Sequence, residues 1–383
     1  MTITKPINVD DFRLLAKRRL PSMVFDYLEG GAEDELGLRH NRDIFRSIRF
    51  QPRRLRDMSK RDLSTNIFGT SISAPMVIAP TGLNGVLWPN GDVALARAAA
   101  KENLPFCLST ASNVSLEEIA RHSDGDLWFQ LYVVHRSLAE DMVRRAMLAG
   151  YSTLVLTVDV VVNGNRERDR RNNFSLPMRF TPRVIIEGLK HPRWTWDLIR
   201  YGSPDLANFA TSDCQSTEVQ AALLKREMDA SFNWNDLVWL RQLWPHRLLV
   251  KGITHPDDAA ECVAYGADGV ILSNHGGRQL DGSISPIEVL PQTAARISCP
   301  ALIDSGFRRG SDIVKAIALG ARAVLLGRAT LYGLAAAGES GVTDVVRLLK
   351  HEIDQTLAHI GCPSVEALSP DYLSDATWTD SRQ

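Results

Sequence analysis

Short apolar runs and longer stretches of helical periodicity alternate along most of the chain. The runs fall at 76–79, 106–108, 128–131, 154–158, 248–250, 270–272, 301–303 and 324–326. Most are continuous rather than alternating, the pattern of a strand covered on both faces. Between most of them, apolar residues recur at helical spacing, as at 92–102, 115–122, 256–265 and 311–319. Strand starts recur every ~20–30 residues, the period of a repeated βα unit. Eight such units predict an α/β chain folded as a (β/α)8 TIM barrel, for which about 250 residues is typical. A doubly wound parallel sheet is the alternative, and the regular count favours closure.

One gap breaks this rhythm. Between 159 and 248 the chain runs for roughly three units without a strand signal, so a long insertion is expected after strand 4, within 160–246. Insertions at that point sit on the catalytic face of a barrel. Upstream, 8–50 reads as helical. Asn8 or Asp10 can cap a first helix carrying Phe12, Leu15, Ala16 and Leu20, and Pro21 can open a second, ended by Gly30 and Gly31. The expected division is a helical extension at 1–75 packed on the barrel, the barrel at 76–373 and a disordered tail at 374–383.

Composition adds limits. With 44% hydrophobic and 23% charged residues, a packed core is expected rather than disorder. A net charge of −1 makes no general case for nucleic acid. Cys107, Cys214, Cys262, Cys299 and Cys362 form no C-x-x-C pair, which argues against a zinc site or a disulfide framework and fits a reducing compartment. No signal-peptide pattern opens the chain, and no apolar run is long enough to span a bilayer.

The chemistry gathers where the apolar runs end. Barrel active sites are built at the C-terminal ends of strands. There the chain places Pro80, Thr81 and Gly82; Ser109; Gln130 and Tyr132; Thr157 and Asp159; Lys251; Ser273 and His275; Asp304, Ser305, Gly306 and Arg308; and Gly327 with Arg328. Polar or glycine residues at all eight ends predict a large polar ligand. The last two ends match the common barrel phosphate site, with backbone N–H groups expected from Gly306, Arg308, Arg309 and Gly310, and guanidinia beside them. A turn with solvated arginines is the bland alternative. Lys251 needs an anionic partner or a lowered pKa; a Schiff base or a plain ion pair remains open. His275, followed by two glycines and Arg278, suits proton abstraction from a bound anion. If Asp159 faces it, the imidazolium is favoured; otherwise Asp159 reads as a helix cap. Arg166 and Arg278 together could hold a carboxylate. Tyr27, from pattern alone, is an amphipathic aromatic.

Taken whole, the string Ser273-Asn-His-Gly-Gly-Arg-Gln-Leu-Asp resembles the signature of the FMN-dependent 2-hydroxy acid oxidases and dehydrogenases. The likeness runs from about Asn8 to Leu373, through Tyr27-Leu-Glu-Gly-Gly-Ala, Ala79-Pro-Thr-Gly-Leu, Leu108-Ser-Thr-Ala-Ser, Trp128-Phe-Gln-Leu-Tyr, Leu156-Thr-Val-Asp, Asp304-Ser-Gly-Phe-Arg-Arg-Gly and Leu326-Gly-Arg. The resemblance implies FMN as cofactor. It implies Pro80–Gly82, Ser109, Gln130, Thr157, Lys251 and Ser273 around the isoalloxazine, and Asp304, Ser305, Gly306, Arg308, Gly327 and Arg328 around the ribityl chain and phosphate. It implies His275 as base with Asp159 as partner, and Tyr27, Tyr132, Arg166 and Arg278 as the substrate set. The reaction implied is oxidation of a 2-hydroxy acid to a 2-keto acid.

Within that family the chain is most similar to the bacterial mandelate dehydrogenases, through Thr81-Gly-Leu-Asn-Gly85-Val-Leu-Trp88, Asn163-Gly-Asn-Arg166-Glu-Arg, His191-Pro-Arg-Trp194, Ser231-Phe-Asn-Trp234 and Leu331-Tyr-Gly-Leu. Gly82 stands where many oxidases carry alanine, which implies room for an aromatic substrate and disfavours use of oxygen. The cytochrome-fused arrangement of the family is not expected. A soluble oxidase of glycolate or L-lactate is the rival reading, and a membrane-bound flavin module without turnover is a third. Residues 166–200 carry nine Arg or Lys against four Asp or Glu, interleaved with apolar residues and two tryptophans. Such a stretch, too short to span, suits an interfacial anchor; a lid or a subunit contact is the alternative. The resemblance favours an anchor at 177–215, a membrane quinone as electron acceptor, peripheral attachment to the cytoplasmic side of the inner membrane and a homotetramer.

Overall fold

A computed structural model describes residues 5–174, 182–210 and 228–374. Its core is a closed barrel of eight parallel strands: β3 (Met76–Ile78), β4 (Phe106–Ser109), β5 (Leu127–Leu131), β6 (Thr153–Thr157), β7 (Arg247–Ile253), β8 (Gly269–Leu272), β9 (Ala301–Ile303) and β10 (Ala323–Leu326). β10 pairs with β3, closing the sheet and excluding the doubly wound alternative. The strands begin and end within a few residues of the apolar runs, because only a strand covered on both faces can accept an unbroken apolar run. Alternate residues divide between two cores. Val77, Cys107, Trp128, Val155, Leu249, Ile271 and Leu302 fill the barrel, while Met76, Phe106, Phe129, Leu154 and Val250 pack under the helices.

The N-terminal segment forms helices Val9–Arg19, Ser22–Glu29 and Leu36–Ser47. Asn8 caps the first, its Oδ1 accepting from the Asp11 N–H at 2.8 Å, and Gly30 closes the second. The stretch 65–72 is not helical. It is a β-hairpin, β1 (Thr65–Ile67) and β2 (Thr70–Ile72), turning through Phe68 and Gly69 at φ 51° and 85°. Two successive left-handed residues match the twist of a two-residue hairpin. Ile67, Ile72 and Phe68 plug the end of the barrel opposite the strands' C-termini. The final helix, Arg328–Ile360, is interrupted at Ala337 and Gly338.

Past β6, the insertion carries helices Glu167–Arg171, Pro182–Lys190, Pro192–Tyr201 and Ala207–Ala210. Of the anchor expected at 177–215, residues 177–181 and 211–215 lie outside the described residues, as do Cys214 and all of the expected tail beyond Ser374. Helix Pro192–Tyr201 divides its tryptophans: Trp194 is buried and donates from Nε1 to the Val86 carbonyl at 2.8 Å, whereas Trp196 faces solvent. Among the described residues no helix is long and apolar enough to cross a membrane.

Candidate active site

The eight strands deliver their C-terminal ends to one rim, around a cavity of about 350 Å3. Pro80, Thr81, Gly82, Ser109, Lys251, Asp304, Ser305, Gly306, Arg308, Gly327 and Arg328 form part of its wall, together with Tyr27, Tyr132, Arg166, His275 and Arg278. Gln130, Thr157, Asp159 and Ser273 stand behind that wall. Strand register makes the arrangement: Ser109 lies beside Gln130 and Thr157 beside Lys251 on adjacent strands.

His275 sits at φ 56°, followed by Gly276 at 66° and Gly277 at 73°. A left-handed histidine is strained by an amount on the order of 1–3 kcal/mol. The surroundings hold it there. Its backbone N–H donates to Ser273 Oγ at 3.0 Å, and its Nδ1 lies 2.9 Å from Asp159 Oδ1. Nε2 is left facing the cavity, 3.5 Å from the Tyr132 hydroxyl. Burial draws the His275 pKa below its ordinary 6.5, although Asp159 opposes that shift. Burial alone would raise Asp159, but His275 and Lys251 outweigh it and hold the carboxyl below its ordinary range. The result is a neutral imidazole backed by a carboxylate, able to accept a proton and then to be stabilised as the cation.

The rest of the His275 motif docks other segments. A Cβ on Gly277 would come within 2.6 Å of the Leu38 nitrogen, so glycine lets helix Leu36–Ser47 pack on this loop. Asp281 accepts from the Leu36 and Gly37 N–H groups that open that helix, and Gln279 accepts from Gly164 N–H.

Cations crowd the wall next to His275. Arg278 donates to the Tyr27 and Gly30 carbonyls at 2.8 and 2.9 Å, and its guanidinium lies 5.1 Å over the Tyr27 ring. Arg328 donates to the Leu28, Gly30 and Gly276 carbonyls. The C-terminal pole of helix Ser22–Glu29 thus partly screens both. Arg166 Nε reaches the Arg278 carbonyl at 3.5 Å. Burial, then Arg166 and Arg328, pull the Arg278 pKa down to about 9. Among the described residues Arg278 has no carboxylate within ion-pair distance. An anion entering the cavity would relieve this like-charge packing. Tyr27 stacks on Phe174 with ring centroids 4.5 Å apart, and its hydroxyl donates to the Gly82 carbonyl at 3.3 Å.

The polar bay below is built for a large ligand. Lys251 Nζ donates to Ser273 Oγ at 2.8 Å and lies 3.1 Å from Asp304 Oδ2. Burial would lower its pKa, but Asp304 and Asp159 outweigh burial and the ammonium stays charged. Buried Gln130 Nε2, Thr157 Oγ1 and Arg308 Nε have no hydrogen-bond partner among the described residues. Orphaned buried donors are costly, and three of them around one bay fit the polar edges and phosphate of FMN. One expectation is corrected here. The N–H groups of Arg308 and Arg309 donate to Asp312, and that of Gly310 to Glu352, so these three cap the helix Gly310–Ala318 rather than forming a phosphate cradle. Gly306, at φ 90°, also serves packing, since a Cβ would collide with the Asn41 carbonyl.

The apolar part of the wall was not evident from the sequence. Val160, Phe174, Leu206 and Phe209 line the cavity from the insertion, and Leu83, Leu87 and Ala111 from the first two βα loops. Loop residues carry no periodicity, so no pattern marks them.

The chain matches the FMN-dependent dehydrogenase family over residues 16–375. It is 62% identical to the (S)-mandelate dehydrogenase of Pseudomonas putida over 374 residues, covering 98% of this chain and 95% of that protein. It is 42% identical to the L-lactate dehydrogenase of Pseudomonas aeruginosa over 369 residues, covering 95% and 97%. Among solved structures, one described as the monotopic membrane protein (S)-mandelate dehydrogenase aligns with a TM-score of 0.94 at 62% identity, covering 97% of this chain and 100% of that one. A mandelate oxidase solved with (S)-2-phenylpropionate aligns with a TM-score of 0.82 at 36% identity, covering 97% and 98%.

Proposed function

This chain belongs to the FMN-dependent dehydrogenase family, and from that premise we propose that it oxidises (S)-mandelate, or a close ring-substituted relative, to the 2-keto acid (benzoylformate for mandelate itself), passing electrons to a membrane quinone. The carrying observation is the His275–Asp159 pair at 2.9 Å, opening on the same cavity as Arg166 and Arg278. Bound FMN supplies the two-electron acceptor. Arg166 and Arg278 hold the substrate carboxylate. Tyr132 and Tyr27 position the substrate from the side of the cavity that Phe174 makes apolar. Nε2 of His275 takes a proton released on oxidation, and Asp159 stabilises the resulting imidazolium. Lys251 keeps a fixed positive charge against the cofactor bay. Gln130, Thr157, Ser109, Ser273 and the Pro80–Gly82 backbone would hold the ring system. Asp304, Ser305, Gly306, Arg308, Gly327 and Arg328 would hold the ribityl phosphate.

Mixing the FMN-loaded protein anaerobically with (S)-mandelate is expected to bleach the flavin absorbance, faster than glycolate or L-lactate does. No bleaching by mandelate would sink the substrate assignment. Steady peroxide formation with glycolate or L-lactate would favour the oxidase reading instead.

The membrane reading rests on helices Pro182–Lys190 and Pro192–Tyr201. Ile185, Ile186, Leu189, Trp196, Ile199 and Tyr201 are all more than half exposed there, beside Lys190, Arg193 and Arg200. Peripheral attachment through 177–215 follows, with the cytoplasmic leaflet and a homotetramer as parts of the same proposal. Burying one such apolar side chain is worth about 1.5–3 kcal/mol. The double variant Leu189→Asp/Ile199→Asp is therefore expected to move the protein from pelleted anionic vesicles to the supernatant, with turnover on a soluble acceptor retained. Unchanged co-sedimentation would remove these helices as the anchor.

A further inference from the structure

The Thr81–Asp92 stretch contains two buried polar side chains that the chemistry above does not use. Asn84 and Asp92 are 1% and 0% exposed. A carboxylate in the first turn of a helix ordinarily faces outward and favours the helix start. Asp92, in the first turn of Gly91–Lys101, instead points into the joint between the first two βα loops. Its Oδ1 accepts from Asn84 Nδ2 at 2.7 Å and its Oδ2 from the Asn113 N–H at 3.2 Å. Asn84 then grips Thr81 twice: Nδ2 donates to the Thr81 carbonyl at 3.0 Å, and Oδ1 accepts from Thr81 Oγ1 at 3.1 Å. Asn113 returns the link, its Oδ1 accepting from Gly85 N–H at 2.8 Å.

The loops tied here carry cavity wall. Thr81, Gly82 and Leu83 come from one, and Ser109 and Ala111 from the other. They also meet directly: Leu83 N–H donates to the Ala111 carbonyl at 3.0 Å, and a Cβ on Gly82 would lie 2.9 Å from Ala111 Cβ. Leu83 is left-handed at φ 62°, a conformation that persists only where surrounding bonds over-determine it. Burial pushes the Asp92 carboxyl up to about 6, against the donors that favour its anion.

We propose that Asp92 is a positioning residue: acting through Asn84 and Asn113, it sets where Thr81 and Gly82 stand against cofactor and substrate. The inference rests on the reading that Pro80–Gly82 flanks the flavin ring. Asp92→Asn is nearly isosteric, but both Asp92 oxygens accept hydrogen bonds, so the new amide nitrogen must face the donor of either Asn84 or Asn113. Either orientation sets two donors face to face and breaks one of the two ties that join the loops. Small displacements beside a reacting centre cost rate out of proportion to their size.

The test compares wild type, Asp92→Asn and Asn84→Ala by bound-flavin absorption spectrum, FMN dissociation constant, rate of flavin reduction by (S)-mandelate and thermal midpoint. Both variants are expected to bind FMN with a shifted visible spectrum and to be reduced at least roughly tenfold more slowly. A wild-type spectrum, FMN affinity and reduction rate, with only the thermal midpoint lowered, would assign Asp92 to helix stability and overturn the proposal. If Asp92→Asn does not fold, Asn84→Ala decides alone, because it cuts the same link to Thr81. Should wild type itself not be reduced by mandelate, the substrate reading fails, while spectrum and FMN affinity still decide the role of Asp92.

Discussion

His275→Ala is expected to lose nearly all turnover while the protein stays yellow. General base catalysis contributes typically about 10²–10⁴-fold, and the imidazole Nε2 faces the cavity beside the Tyr132 hydroxyl. FMN retention follows because the Lys251–Ser273–Asp304 contacts do not pass through the imidazole. The pH dependence gives an independent readout. Only the neutral imidazole accepts a proton, so kcat/KM falls as pH drops through the His275 pKa. Burial places that pKa under 6.5, and the acid limb of wild type should lie correspondingly low. Asp159→Asn removes the charge that holds it up, so the limb should move to still lower pH as the base weakens. Stopped-flow flavin reduction across pH checks both variants. Wild-type rates in His275→Ala, or a limb that moves upward in Asp159→Asn, would remove this pair from the mechanism.

Arg278→Met is expected to lower kcat/KM for mandelate by about 10²–10⁴-fold, since charge-assisted hydrogen bonds are each worth about 1.5–3 kcal/mol and the arginine presents two. Part of the cost is structural. The same guanidinium holds the Tyr27 and Gly30 carbonyls; without it Gly30 keeps Arg328 but the Tyr27 carbonyl loses its arginine, which weakens the docking of helix Ser22–Glu29. Two measurements separate these effects. Arg278→Lys restores charge without the planar fork, so it should recover binding more than rate. Added guanidinium salt should partly rescue Arg278→Met if the lost group binds substrate. A variant with unaltered KM and kcat, or one that guanidinium cannot rescue while its fold is intact, would contradict a carboxylate-binding role.

Several parts of this site could be read along the chain. His275 and Arg278 share one string after an apolar run, and Lys251 and Asp304 end two others. Polar residues break an apolar strand only where something holds them, which makes strand ends conspicuous. Other parts could not be read. The helix-capping use of Asp312 and Glu352, which occupies the N–H groups of Arg308, Arg309 and Gly310, involves partners up to 42 residues apart. The hairpin at 65–72 escaped because three-residue strands leave too few positions for a period to show.

Eight apolar runs at near-regular intervals were enough to determine buried strands joined by crossovers, and the β10–β3 pairing decided that they close into a barrel. Strands buried on both faces require that composition, and parallel neighbours require a crossover between them. Which side of a given residue meets which neighbour was decided only in three dimensions. Trp194 and Trp196 stand two apart in the sequence, yet one is sealed under the Val86 carbonyl and the other lies open. Asp92 looks like any helix-start acid until Asn84 and Asn113 close around it. Periodicity reports how often a residue turns inward; long-range packing alone decides what it meets there.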